Sequence, residues 1–250
     1  MIDLSGQHIY VTGGSRGIGR AVAILAARAG ADVSINFTRD LDAANAVLAD
    51  IKKLGRQAVV VKADVGEDGE IAEALRQATG VLGPLTGVVA SAGILEPTPI
   101  ASATTAQWDH VINTNLRGTF HAVRDSVPHF KAAGGSIVII ASTSGQRGDA
   151  VYSAYSTSKA AQFNFMRSMA MALAARRIRV NCIAPAWTET DMAKSALFGE
   201  ARDRAIKQIP MGRLGSPEDA GNAACFLLSP LAGFMTGSTI TVDGGFDMRG

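Results

Sequence analysis

Seven short runs of apolar and β-branched residues recur along this chain, and several are apolar without a break. Ile137-Val138-Ile139-Ile140 is the clearest. A strand with one wet face alternates polar and apolar residues. An unbroken run fits a strand buried on both faces, as in a parallel sheet covered by helices. The runs are His8–Thr12, Asp32–Phe37, Gln57–Lys62, Thr86–Ser91, Ser136–Ala141, Ile178–Ala184 and Ser238–Val242. Stretches long enough for crossover helices lie between them. Gly17–Ala29 stops at Gly30, and Asp40–Leu54 has Asp40 as cap and Gly55 as stop. Thr104–Lys131, Tyr152–Ala175 and Pro217–Leu228 are the other main ones. The repeated strand–helix order predicts an α/β fold, a doubly wound parallel sheet of about seven strands with helices on both faces. No linker or composition break interrupts it, so one domain over 1–250 is expected.

Composition narrows the function. Apolar residues are 47% and charged residues 18%, which excludes a disordered chain. Lys and Arg number 24 against 22 Asp and Glu, and this near-neutral balance offers no basic stripe for nucleic acid. Arg176, Arg177 and Arg179 cluster at a predicted helix end, where positive charge complements the helix dipole. Cys182 and Cys225 lie in apolar stretches and read as buried free thiols. His8, His110, His121 and His129 lack metal-ligand spacing, so no metal site is predicted. The first residues show no basic segment followed by an apolar one, and no apolar run nears the roughly 18 residues of a membrane span. A soluble, cytoplasmic protein with no membrane partner is the expectation.

The first strand runs into Thr12-Gly13-Gly14-Ser15-Arg16-Gly17-Ile18-Gly19 and then a helix. Glycine in such a turn permits positive φ and close backbone approach, and the helix start supplies positive potential, so the turn suits a phosphate. The placement points to a dinucleotide site. The spacing is neither the usual G-x-G-x-x-G nor a Walker A loop, because no Gly-Lys-Ser/Thr follows.

A second motif, Tyr155-Ser156-Thr157-Ser158-Lys159, joins this turn. With Asp64-Val65 after the third strand, Asn115, Ser142 after the fifth, Pro185 to Thr190 after the sixth and Val242-Asp243-Gly244-Gly245, the chain resembles the short-chain dehydrogenase/reductase family over essentially its whole length. The nearest likeness is to the 3-oxoacyl-carrier-protein reductase and glucose-dehydrogenase-like branch. The resemblance implies a Rossmann fold and a nicotinamide cofactor held by Gly13, Ser15, Arg16, Gly17, Ile18, Gly19, Asp64, Val65, Ala92, Gly93, Pro185, Thr188 and Thr190, with Tyr155 and Lys159. Asn36 stands where an enzyme using NAD(H) would carry Asp. Arg16 and Arg39 are placed to clamp a 2′-phosphate, so NADP(H) is expected over NAD(H).

Reducing a ketone by hydride transfer leaves an alkoxide that needs a proton. Tyr155 and Lys159 are spaced i, i+4 on one helical face, where the lysine charge would lower the phenol pKa. Tyr152 has Ser156 at that spacing instead. Ser142 would orient the substrate oxygen and Asn115 would hold a water relaying protons to Lys159, as the family implies. The expected activity is interconversion of a ketone and a secondary alcohol. A 3-oxoacyl-carrier-protein reductase is one alternative, and a non-catalytic NADP-binding sensor is another.

Two positions depart from the family pattern: Ser91 where Asn is usual, and Ala186 where Gly is usual. A negative φ at residue 186 would tolerate Ala. The family's substrate stretches fall on Ile94–Pro99, Thr143–Ser153 and a lid-like insertion around 187–209, whose Trp187, Met192, Leu197 and Phe198 either face the substrate or pack on the sheet. Gln146 and Arg147 are open between a substrate contact and solvent. Ala161, Phe163, Phe165, Met166 and Met169, with Phe246-Asp247-Met248, point to a homotetramer.

Overall fold

The computed structural model describes residues 2–248; Met1, Arg249 and Gly250, the ends of the expected 1–250 domain, lie outside the described residues. β1 (His8–Thr12), β2 (Asp32–Phe37), β3 (Ala58–Lys62), β4 (Gly87–Ala90), β5 (Gly135–Ile140), β6 (Ile178–Pro185) and β7 (Thr239–Val242) make one seven-stranded sheet in the order β3-β2-β1-β4-β5-β6-β7. Every pairing is parallel. The apolar run of β5 divides between the faces: Ile137 and Ile139 join one core, Val138 and Ile140 the other. Each such side chain contributes roughly 1.5–3 kcal/mol by leaving water.

One face is covered by α3 (Glu70–Leu82), α5 (Gly118–Ser126) and α7 (Ser153–Leu173), through Leu75, Val123 and Met166. The other carries α1 (Gly17–Arg28), α2 (Leu41–Lys53) and α10 (Pro217–Leu228), through Val22, Val47 and Leu227. α2 begins at Asp40, whose side chain accepts from Ala43 N, and α10 at a Ser216–Asp219 capping box. α3 has no side-chain cap; its N-cap is Gly69 at φ 84°. It therefore escapes a cap-based reading, although Ile71, Ala74, Leu75 and Ala78 follow the helical i, i+3, i+4, i+7 spacing.

The helix expected over Thr104–Lys131 is not continuous. α4 (Thr105–Ile112) passes into a π-helical turn at Asn113–Arg117, then into α5 and a short 3₁₀ turn at Val127–His129. After β5 come the one-turn α6 (Ser144–Arg147) and α7, and after β6 the short helices α8 (Asp191–Ala196) and α9 (Glu200–Gln208). No helix among the described residues is long and apolar enough to cross a membrane. The chain reverses direction across the sheet between β1 and β4, and the crevice at such a switch point is where open α/β sheets bind ligands.

Candidate active site

A cavity of about 640 Å³ opens at the C-terminal ends of the strands, within the roughly 300–1,000 Å³ usual for ligand sites. Its floor at one end is the glycine-rich turn. Gly13 has φ 62°, and a Cβ there would meet Ala92 Cα at 3.0 Å. A Cβ on Gly19 would collide with the Gly13 carbonyl oxygen. Only glycine lets the turn lie flat against both β4 and the helix start, which leaves a cradle of backbone N–H groups for an anion. Gly13, Ser15, Arg16, Gly17, Ile18, Gly19, Arg39, Asp64, Val65, Ala92, Gly93, Pro185, Thr188 and Thr190 all line the cavity, as do Ser142, Tyr155 and Lys159. The cradle fits a dinucleotide pyrophosphate.

Asn36 is a correction. It is 1% exposed and does not line the cavity. Its Nδ2 donates to Ala63 O at 3.0 Å, and its Oδ1 accepts from Gly13 N at 3.3 Å. It clasps the glycine turn to β2 and β3 from behind. Neighbouring strand residues point to opposite faces, so the next side chain, Phe37, joins the core with Val33 and Ile35, and Phe37, Thr38 and Arg39 border the cavity.

Asn115 sits behind the cavity wall. It is fully buried in the π-turn and does not line the cavity. Its Oδ1 accepts from Ile94 N at 2.8 Å, and its Nδ2 donates to Ile94 O at 3.0 Å and Ser158 Oγ at 3.2 Å. Its carbonyl accepts from Thr119 Oγ1 and Gln162 Nε2. Asn115 is a positioning residue that ties the segment after β4 to α7. Gln162, one turn past Lys159, escaped the sequence reading because its role depends on the π-turn.

The reactive groups meet above β5. Tyr155 and Lys159 lie one turn apart on α7, with Lys159 Nζ 5.6 Å from the Tyr155 ring centroid. Lys159 is 4% exposed and donates to Ile140 O at 2.7 Å; burial pushes its ammonium down to about 8. Burial holds the phenol above its ordinary 10.0, and the Ser142 hydroxyl draws it part of the way back. Ser142 Oγ accepts from Ser144 N at 3.1 Å. Its own O–H reaches the Pro185 carbonyl at the long distance of 3.5 Å and faces Tyr155, so it is available to an oxygen in the cavity.

The departures from the family pattern are absorbed locally. Thr12 Oγ1 accepts from Ser91 N and Ala92 N, so a threonine on β1 braces the turn. Ala186 is absent from the positive-φ residues and carries no backbone strain. On the lid, Trp187 and Met192 line the cavity and Leu197 packs on a separate small core, while Phe198 is 88% exposed. Phe163 and Met166 are buried in the chain's own core, and Phe246 is 3% exposed beneath Arg147, so these three offer no outward contact. Arg179 donates to the carbonyls of Leu227, Ser229 and Met235, a structural clamp and not a helix-end charge.

Fold, cradle and tyrosine–lysine pair define an oxidoreductase of the dinucleotide-binding α/β class. A family model described as enoyl-(acyl carrier protein) reductase matches residues 13–247. The 3-oxoacyl-(acyl-carrier-protein) reductase FabG of Staphylococcus epidermidis is 34% identical over 239 residues, covering 95% of this chain and 98% of that protein. The enzyme of the same name from Chlamydia pneumoniae is 36% identical over 245 residues, covering 98% of each. Among solved structures, a dehydrogenase/reductase from Sinorhizobium meliloti superposes with a TM-score of 0.94 at 35% identity, covering 98% of this chain and 97% of that one. A short-chain dehydrogenase/reductase from Serratia marcescens gives 0.93 at 31%, covering 97% and 98%. The chain belongs to the short-chain dehydrogenase/reductase family and is an oxidoreductase acting on CH–OH and carbonyl groups.

Proposed function

We propose that the enzyme interconverts a ketone and a secondary alcohol with NADP(H), using Tyr155 as general acid and base. The observation that carries this is the half-buried Tyr155 one turn from Lys159, in the same cavity as Ser142 and the glycine cradle. When bound, the nicotinamide cofactor would supply or take up the hydride. Gly13 to Gly19 would hold its pyrophosphate, Asp64 and Val65 its adenine, and Lys159 its ribose. The Ser142 O–H orients the substrate oxygen, and the Tyr155 O–H gives it a proton as charge develops there. An alkoxide is a far stronger base than phenolate, so it takes the phenol proton readily. Asn115 keeps the segment after β4 and α7 in register while this happens.

Preference for the 2′-phosphorylated cofactor rests on Arg16 and Arg39, which flank the cavity beside Phe37 and Thr38 with no acid directed at a ribose 2′ position from β2. The test is a panel of ketones and alcohols followed at the nicotinamide absorbance with NADPH and NADH. A preference for NADPH of tenfold or more, about 1.4 kcal/mol, is expected; the same preference for NADH overturns the cofactor assignment. A chain that binds NADPH but turns over nothing would be the sensor. A second reading is favoured by the FabG relatives: reduction of a 3-oxoacyl group on a carrier protein. Acetoacetyl carrier protein outpacing a small ketoester would support it.

A further inference from the structure

The charged groups around the cavity are unevenly satisfied. Asp40, Asp64, Glu96, Asp149 and Asp191 line it, and each has a partner in its own wall. Asp40 accepts from Ala43 N, Asp64 from Gly66 N and Asp149 from Val151 N and Tyr152 N. Glu96 pairs with His110 and Asp191 with Lys194. Arg16, Arg39 and Arg147 also line the cavity. Among the described residues none of these three arginines has an ion pair. Three guanidinium groups are thus left open to negative charge on a ligand.

Arg16 and Arg39 follow β1 and β2 and serve the cofactor end. Arg147 follows β5, two strands from β1 and three from β2. At about 4.8 Å per strand, those strand ends stand roughly 10–14 Å apart. Arg147 is exposed at the β5 part of the cavity wall. Its guanidinium carbon lies 3.9 Å from the Phe246 ring centroid, and Phe246 is 3% exposed, so the platform under it is fixed. Stacking covers one face and leaves the in-plane N–H edge free, the edge that matches carboxylate or phosphate oxygens in pairs. Ser142 begins the segment that Arg147 ends, and both face the cavity.

We propose that Arg147 binds an anionic group on the substrate, a carboxylate or a phosphate a few bonds from the carbonyl, and thereby sets substrate choice. This rests on the Tyr155 reading of the site. The test compares matched pairs of ketones, levulinate with methyl levulinate and hydroxyacetone phosphate with hydroxyacetone. Wild type is expected to favour at least one anion over its neutral partner in kcat/KM by about tenfold or more, and the favoured pair tells carboxylate from phosphate. Arg147→Met collapses that ratio toward one, mainly through KM, and Arg147→Lys keeps part of it. Phe246→Leu, which removes the platform and keeps the charge, gives a ratio in between and serves where Arg147→Met does not fold. A wild-type ratio near one, or a ratio that survives Arg147→Met, overturns the proposal. Turnover of no ketone in either form overturns instead the reading of the site on which it rests.

Discussion

His8 shows how one buried side chain ties stability to pH. Its Nδ1 lies 2.7 Å from the Gly83 carbonyl, which can only accept, so Nδ1 carries the proton and Nε2 accepts from the Ser34 hydroxyl at 2.7 Å. Burial pushes this imidazole below its ordinary 6.5, with Asp32 opposing the shift and Lys131 adding to it. The unfolded chain then binds the proton more readily than the native one. Stability from this site is complete above pH 6.5 and falls as the pH drops below it. The urea midpoint should decline from neutral pH into that range, and His8→Gln should flatten the decline; an unchanged slope would contradict it. At the other end of the strands, Arg16 is a free guanidinium at the glycine turn. A hydrogen bond to a charged group contributes about 1.5–3 kcal/mol. Arg16→Ala should therefore weaken NADPH binding by roughly 10- to 100-fold, with NADH binding far less affected, as read by fluorescence titration.

At the scale of elements, the π-turn at Asn113–Arg117 does what a straight helix would not: it carries Asn115 into contact with both Ile94 and α7. Asn115→Leu leaves the Ile94 N–H and C=O and the Ser158 hydroxyl without it, at about 1–3 kcal/mol per orphaned group. A lower melting temperature is expected, together with a fall in kcat larger than any rise in cofactor KM. Retention of both would show that the clasp is dispensable. Strands and most helices were legible because local composition sets them: an unbroken run such as Ile137–Ile140 has few other places to go. The Thr104–Lys131 span looked like one helix because nothing in its side-chain pattern marks an extra residue per turn. The site was legible where backbone constraint leaves a glycine or an i, i+4 pair. It was off at Asn36, where a one-residue step along β2 exchanges a cavity-facing side chain for one behind the turn. Phe246 and Arg147 meet across nearly the full second half of the chain, and no local pattern joins them.

The whole molecule still carries apolar surface that its own core does not use. Phe120 at 41%, Met171 at 77%, Leu231 at 62% and Phe234 at 105% exposure lie on α5, α7 and the turn after α10. Two-fold contacts through these elements would close into a tetramer. Light scattering should return four times the 25.9 kDa chain mass; a monomer mass would refute it. The central claim, that Tyr155 is the proton donor of this enzyme, has a direct measurement. Tyr155→Phe keeps the ring and removes the hydroxyl. On a substrate that wild type turns over, kcat should fall by at least about a hundredfold, with NADPH affinity and melting temperature nearly unchanged. Tyr152→Phe, in the same cavity wall, should do far less. Activity largely retained in Tyr155→Phe, or lost in Tyr152→Phe instead, would contradict the account.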